Sequence, residues 1–145
     1  MITPEQIKPM ITAKDIEKYK DKSLPALVKL ADTYFNRWVR LRDAESPCIC
    51  CDKGKPEQAC HYYSAGNYKA LRYNEDNVNG GCKQGNYYMG GNLVEYRKRL
   101  IKRIGEDRVL RLDHLAEENK RNGFKWDKYS LIETIITYRN KLKNK

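Results

Sequence analysis

Six residues stand where the chain could carry out chemistry: Cys48, Cys50, Cys51, Cys60, His61 and Cys82. Cys48 and Cys51 have C-x2-C spacing, which lets a tight turn aim two thiolates at one tetrahedral ion, as in a zinc knuckle. Cys82 offers a third thiolate. A second knuckle would be completed at Gly85, which has no ligand atom. The fourth ligand must then come from elsewhere. Cys60 is the expected one, with Cys50 and His61 as alternatives, and structural zinc is the expected ion. Five cysteines with no secretory signal ahead of them argue for intracellular thiols or a metal site, not for a disulfide framework.

His61 lies in Ala59-Cys60-His61-Tyr62-Tyr63, a strand-like run. Downstream come Asn77 and Asn79, and then Cys82. A strand histidine, a loop asparagine and a cysteine-anchored helix follow one another in the order of an HNH nuclease site. The chemistry would be phosphodiester hydrolysis. A neutral imidazole takes a proton from water, and a divalent metal neutralises charge on the phosphate. Asn77 would hold the loop or orient the ring by hydrogen bonding. The other histidine, His114, lies among charged helix residues and reads as a surface group.

Composition fits a polyanion partner. The formal charge is +10 over 145 residues, with a pI near 9.4, and nucleic acid is the commonest partner for such a chain. Arg97, Lys98, Arg99, Lys102 and Arg103 form a basic helix, to which Arg72 and Lys83 are added as DNA contacts. Tyr62, Tyr63, Tyr68, Tyr73, Tyr87 and Tyr88 could stack on bases or fill a small core. A 40% hydrophobic fraction argues against disorder. No apolar run reaches the length of a membrane span.

The elements that must position these residues follow from periodicity. Residues 1–22 read as a loose lead-in or a short helix. A helix over 23–42 is predicted from Leu27, Val28, Ala31, Phe35, Trp38 and Val39, with Ser23 as N-cap and Pro25 in the first turn. Residues 43–91 hold all five cysteines and seven of the nine glycines, too little apolar matter for a core without an organiser. Strands are predicted at Ala59–Tyr63 and Leu71–Tyr73, with turns at Asp52–Gly54 and Asn79–Gly81. Helices should start at Asn92, through a capping box with Glu95, span Glu106–Glu118, and start again near Asp127.

The ensemble resembles the NinG (Rap) family of lambdoid phages. The residues carrying the resemblance are Pro47-Cys48-Ile49-Cys50-Cys51, His61-Tyr62-Tyr63-Ser64-Ala65-Gly66, Leu71 through Val78, and Gly91 through Arg97. The resemblance implies an α+β fold, a small HNH-like treble-clef (ββα-metal) core embedded in α-helices. It implies one domain over 23–145, with the core at 43–105 and C-terminal helices at 106–145. It also implies a recombination endonuclease that cuts Holliday junctions and D-loops with magnesium or manganese. Its setting would be the cytoplasm of a phage host, beside other phage recombination proteins, and symmetric cutting favours a homodimer. The chain departs from the family at Gln58, where an acid is usual, at Cys60 for glycine, at Asn79 for histidine and at Gly85 for cysteine. The resemblance implies a divalent metal between His61 and Asn79, whose carbonyl oxygen can still meet a hard ion. Those departures keep a second reading open, a branched-DNA binder whose catalytic site has decayed.

Overall fold

The structure is a computed structural model that describes residues 11–51, 53–83 and 93–144. The expected capping residue Asn92, the turn residue Asp52, Gly85, Tyr87 and Tyr88 lie outside the described residues. The chain forms two compact units. One runs up to Trp38 and resumes at Trp126, and the other is Val39–Lys125.

In the first unit, α1 (Ala13–Tyr19) begins at a capping box. The Thr12 hydroxyl accepts from the Asp15 N–H at 3.2 Å, and the Asp15 carboxylate accepts from the Thr12 N–H at 3.1 Å. Helix α2 (Leu24–Arg42) is capped by the Ser23 hydroxyl, which accepts from the Ala26 N–H at 3.3 Å. The final helix, α5 (Lys128–Lys143), is capped by the Asp127 carboxylate. The lead-in thus carries a short helix at Ala13–Tyr19. Tyr19 is buried, and Arg139 on α5 donates to its hydroxyl at 3.0 Å and to Asp15 at 3.3 Å. Phe35 meets Tyr138 edge-on, at 4.8 Å between ring centroids, within an apolar stripe of Leu27, Ala31, Leu131, Ile135 and Ile136.

The second unit is built on a two-stranded antiparallel hairpin, β1 (Gln58–His61) and β2 (Val78–Gly81). Two expectations need correction. Leu71–Tyr73 is not a strand: Lys69–Leu71 is a 3-10 turn that buries Leu71. The expected turn at Asn79–Gly81 lies within β2. Its glycines serve close approach. A Cβ on Gly80 would lie 2.7 Å from the Pro56 Cβ, and one on Gly81 would lie 2.7 Å from the Cys60 sulfur. Helix α3 (Leu93–Ile104) and helix α4 (Glu106–Asn122) follow. Helix α4 runs a turn beyond its expected end and stops at Gly123, whose φ of 70° suits glycine. Tyr96 and Leu100 of α3 and Val109, Leu112 and Ala116 of α4 pack with the cysteine window into one core. The apolar surface that the window lacks comes from these two helices.

The architecture is therefore a mixed, helix-rich fold carrying one small two-stranded sheet. Among the described residues no helix is long and apolar enough to cross a membrane.

Candidate functional site

The Sγ atoms of Cys48, Cys51 and Cys82 lie within 4.8 Å of one another. Zinc–thiolate bonds of ~2.3 Å at tetrahedral angles put ligand sulfurs about 3.8 Å apart. Here Cys51 is 3.8 Å from Cys48 and 3.5 Å from Cys82, so the trio fits a soft ion such as zinc. Backbone donors surround it. The N–H groups of Cys82 and Cys50 point at the Cys48 sulfur, at 3.0 and 3.3 Å, and that of Gly54 at the Cys51 sulfur, at 3.3 Å. Such donors orient metal-binding thiolates and stabilise their charge. Burial pushes the Cys48 thiol up to about 11. Partial burial also raises Cys51, but the Lys53 and Gly54 N–H groups and the neighbouring thiols bring it below the usual thiol value. Gly54 is indispensable to the knuckle, because a Cβ there would lie 2.2 Å from the Cys82 Cβ.

Cys60 is not brought into this group. Its sulfur points to the Gln58 carbonyl at 3.8 Å and pairs with the buried Cys50 thiol. The reason is strand geometry: Cys60 sits mid-strand opposite Asn79, on the face that packs against α3.

His61 ends β1. Its Nε2 lies 3.0 Å from the Arg72 carbonyl oxygen, so Nε2 carries the hydrogen and the lone pair of the neutral ring is on Nδ1. The intervening loop is held from within by Asn77, which is fully buried. Asn77 accepts from the Tyr63 N–H at 2.8 Å and donates to the Tyr63 and Leu71 carbonyls at 2.9 and 3.0 Å. Replacing Asn77 with Ala would strand the buried Leu71 carbonyl and the part-buried Tyr63 N–H and carbonyl. It should cost about 2–4 kcal/mol, read as a lower urea midpoint.

Asn79 is placed differently. Paired residues share a sheet face, so Asn79 faces with Cys60 while His61 faces with Val78. Its carbonyl oxygen is approached by Arg42 at 3.3 Å and Arg103 at 3.4 Å, and its amide donates to Tyr96 at 3.1 Å. The expected seat for a hard divalent ion between His61 and Asn79 is not formed by these two side chains. They point apart, and two guanidiniums occupy the Asn79 oxygen.

Asp43, beside Asn79, carried no sequence signal. Asp43 is buried, with Arg42 donating to it at 2.7 and 2.8 Å and the Gly80 N–H at 2.7 Å. Burial pushes the Asp43 carboxyl up, but these donors and the Arg103 charge outweigh it and hold it below the usual range. On the other side, Asp113 of α4 takes both Arg97 nitrogens, at 2.8 and 3.0 Å, and the Tyr63 hydroxyl. The Asn119 carboxamide accepts from the Ala70 N–H at 2.8 Å. Helix α4 thereby clamps the outside of the His61 loop. The Arg97 hydrogen bonds also hold Asp113 below its usual pKa, against the partial burial that would raise it. Both carboxyls have depressed folded values, so their contribution is present above the unfolded value of ~3.9 and is lost as pH falls through the folded ones. Stability should drop steeply below about pH 4, and Asp43→Asn should flatten that drop in pH-dependent urea titrations.

The remaining site residues divide. Arg97 is tied to Asp113, and Arg103 donates to the Pro47 carbonyl at 2.8 Å. Arg72 stacks over Tyr73, and Lys83 is exposed beside the knuckle. Tyr62, Tyr63, Tyr68 and Tyr96 pack on one another at 4.8–5.2 Å.

Fold and site together define a small basic protein built on a cysteine knuckle and a histidine-bearing hairpin. Residues 5–145 match the family described as "Bacteriophage Lambda NinG protein". The chain is 34% identical to Protein ninG of Escherichia phage lambda over 119 residues, covering 81% of this chain and 56% of that protein. It is 33% identical to Protein ninG of Salmonella phage P22, with the same coverage. For Protein ninG of Enterobacteria phage H19B the figure is 34% over 101 residues, or 68% of this chain and 48% of that one. The chain belongs to the phage NinG family. It spans about half the length of the curated relatives it matches. No solved structure matches it.

Proposed function

We propose that this protein is a structure-specific endonuclease of phage recombination, cutting branched DNA such as Holliday junctions and D-loops. In this reading the knuckle, the hairpin and the Cys82 segment form an HNH-like treble-clef core, zinc holds that core, and His61 is the general base. The observation that carries it is the tethered imidazole. With Nε2 fixed on the Arg72 carbonyl and the loop braced by Asn77, Nδ1 is the atom that takes the proton from water. Water then attacks the phosphorus as the bond to the leaving oxygen breaks.

Magnesium or manganese belongs to the proposal as the ion that would offset charge on the phosphate. Because Asn79 faces Arg42 and Arg103, no step is assigned to an ion between it and His61. The partner is branched or single-strand-containing DNA, gripped by lysines and arginines that include Arg72, Lys83, Lys98 and Lys102. Two symmetric cuts would need two copies of the chain. The setting is the host cytoplasm, beside other phage recombination proteins.

A second reading has one observation in its favour. Asn79 sits in a closed polar network, as it would in a branched-DNA binder that no longer cuts. Incubating the protein with a labelled four-way junction and either metal separates the two. Nicked products support the nuclease, and salt-sensitive binding without products supports the binder.

A further inference from the structure

We propose that the groove between Pro47 and the outer stripe of α3 is a seat for the sugar-phosphate backbone of DNA, contacted without reading its sequence. The proposal rests on the DNA-directed reading above and names the surface that this reading needs. The groove has a volume of about 550 Å³ and is lined by Pro47, Glu95, Lys98, Arg99, Lys102 and Arg103. The helical residues recur at spacings of three and four, so they form one stripe on α3. Among the described residues four cations face one carboxylate, and no aromatic ring lines the groove to offer a stacking surface for a base. Ammonium and guanidinium groups match phosphate oxygens, and such contacts fix register and orientation without sequence information.

The cations are not equivalent. Arg103 closes one end by donating to the Pro47 carbonyl, and it also lies 3.6 Å from Asp43. Glu95 draws Lys98 at 3.5 Å and Arg99 at 3.7 Å. The Lys98 pair is exposed, and water and salt weaken such a pair, so a phosphate can take its place. Lys102, also exposed, makes no ion pair among the described residues. A phosphate therefore lies toward Lys102 and Lys98, and the Glu95 charge keeps it from the helix start. Arg97 belongs to the opposite task, since Asp113 already takes both of its terminal nitrogens. Within one helix, Arg97 and Arg103 hold the fold, and Lys98 and Lys102 face the ligand. An open stripe suits a polymer, which releases counterions from several phosphates at once.

The test is fluorescence anisotropy of a labelled four-way junction and a plain duplex, titrated across a salt series with the full chain. Joint replacement Lys98→Ala with Lys102→Ala should weaken binding to both DNAs roughly tenfold near 0.1 M salt. It should also make the log–log salt slope shallower by about 1.8, which is ~0.9 per lost phosphate contact. Glu95→Gln should tighten binding, a gain that a misfolded variant would not give. Inorganic phosphate should compete no better than chloride at equal ionic strength. An unchanged affinity and slope in the double variant would overturn the groove assignment, and so would selective displacement by phosphate, the mark of a small-anion pocket. The nuclease reading fails separately. If wild type never cuts but the double variant loses affinity, the groove stands and the nuclease falls. If the double variant binds like wild type while cutting depends on His61, the reverse holds.

Discussion

His61→Ala should abolish cleavage of a four-way junction while leaving its affinity for that junction within about twofold of wild type. Removing a general base typically costs ~10²–10⁴-fold in rate. A single neutral imidazole adds little to binding dominated by lysine–phosphate contacts, so affinity and activity should separate. The hydrogen bond from Nε2 to the Arg72 carbonyl sharpens the expectation. His61→Gln retains an N–H donor that can reach for that carbonyl but offers no basic nitrogen. It should keep the loop and still lose activity. A pH–rate profile on wild type should rise as the imidazole loses its proton, and that limb should vanish in both variants. If His61→Ala cuts as fast as wild type, the site assignment is wrong. If neither protein cuts with magnesium or manganese but both bind, the polar network around Asn79 decides for the decayed site.

The helices were legible because their signals are local. For α2, α4 and α5, capping residues and apolar spacing sit within a few positions of what they control. Strand β2 was not, because Val78-Asn79-Gly80-Gly81 has the composition of a turn, and only its neighbours explain it. Gly80 lies against Pro56 and Asp43, and Gly81 against Cys50 and Cys60, all remote in sequence or on another strand. The thiolate trio was legible from the Cys48–Cys51 spacing, and Asn77 from its place before Cys82. Cys60 was misleading for a reason peculiar to strands. Adjacent residues point to opposite faces, so a thiol next to His61 cannot join His61, and on its own face it meets Cys50 and not the trio. The basic helix hid the most. The letters Arg97-Lys98-Arg99 say nothing of partners, and the acid that claims Arg97 lies on α4 at Asp113. Asp43 is similar: a short polar residue just after a helix became a buried carboxylate that joins Arg42, Gly80 and Arg103.

The second large effect concerns the knuckle. Protein purified without added metal should carry one zinc per chain, and stripping that zinc should unfold the region from Cys48 to Cys82. Structural zinc binds zinc-finger peptides with an apparent ~10–16 kcal/mol, comparable to the entire stability of roughly 5–15 kcal/mol expected for a domain. The fold around the site has little to replace it. The hairpin is two strands of four residues each, and the core beneath it contains four of the five cysteines. A chelator should therefore lower the thermal midpoint sharply and expose the thiols to titration, and readdition of zinc should reverse both. Substitutions should sort by geometry. Cys51→Ser removes a ligand, and Gly54→Ala drives a methyl group into Cys82, so both should lose the metal. Cys60→Ser should keep one zinc per chain, because its sulfur faces Cys50 and the Gln58 carbonyl and lies outside the trio. Metal analysis of these three proteins beside wild type reads the outcome directly. Zinc lost from Cys60→Ser but retained by Cys51→Ser would mean that the ion sits elsewhere. With no zinc in wild type and five freely reacting thiols, packing against α3 and α4 alone would have to hold the hairpin.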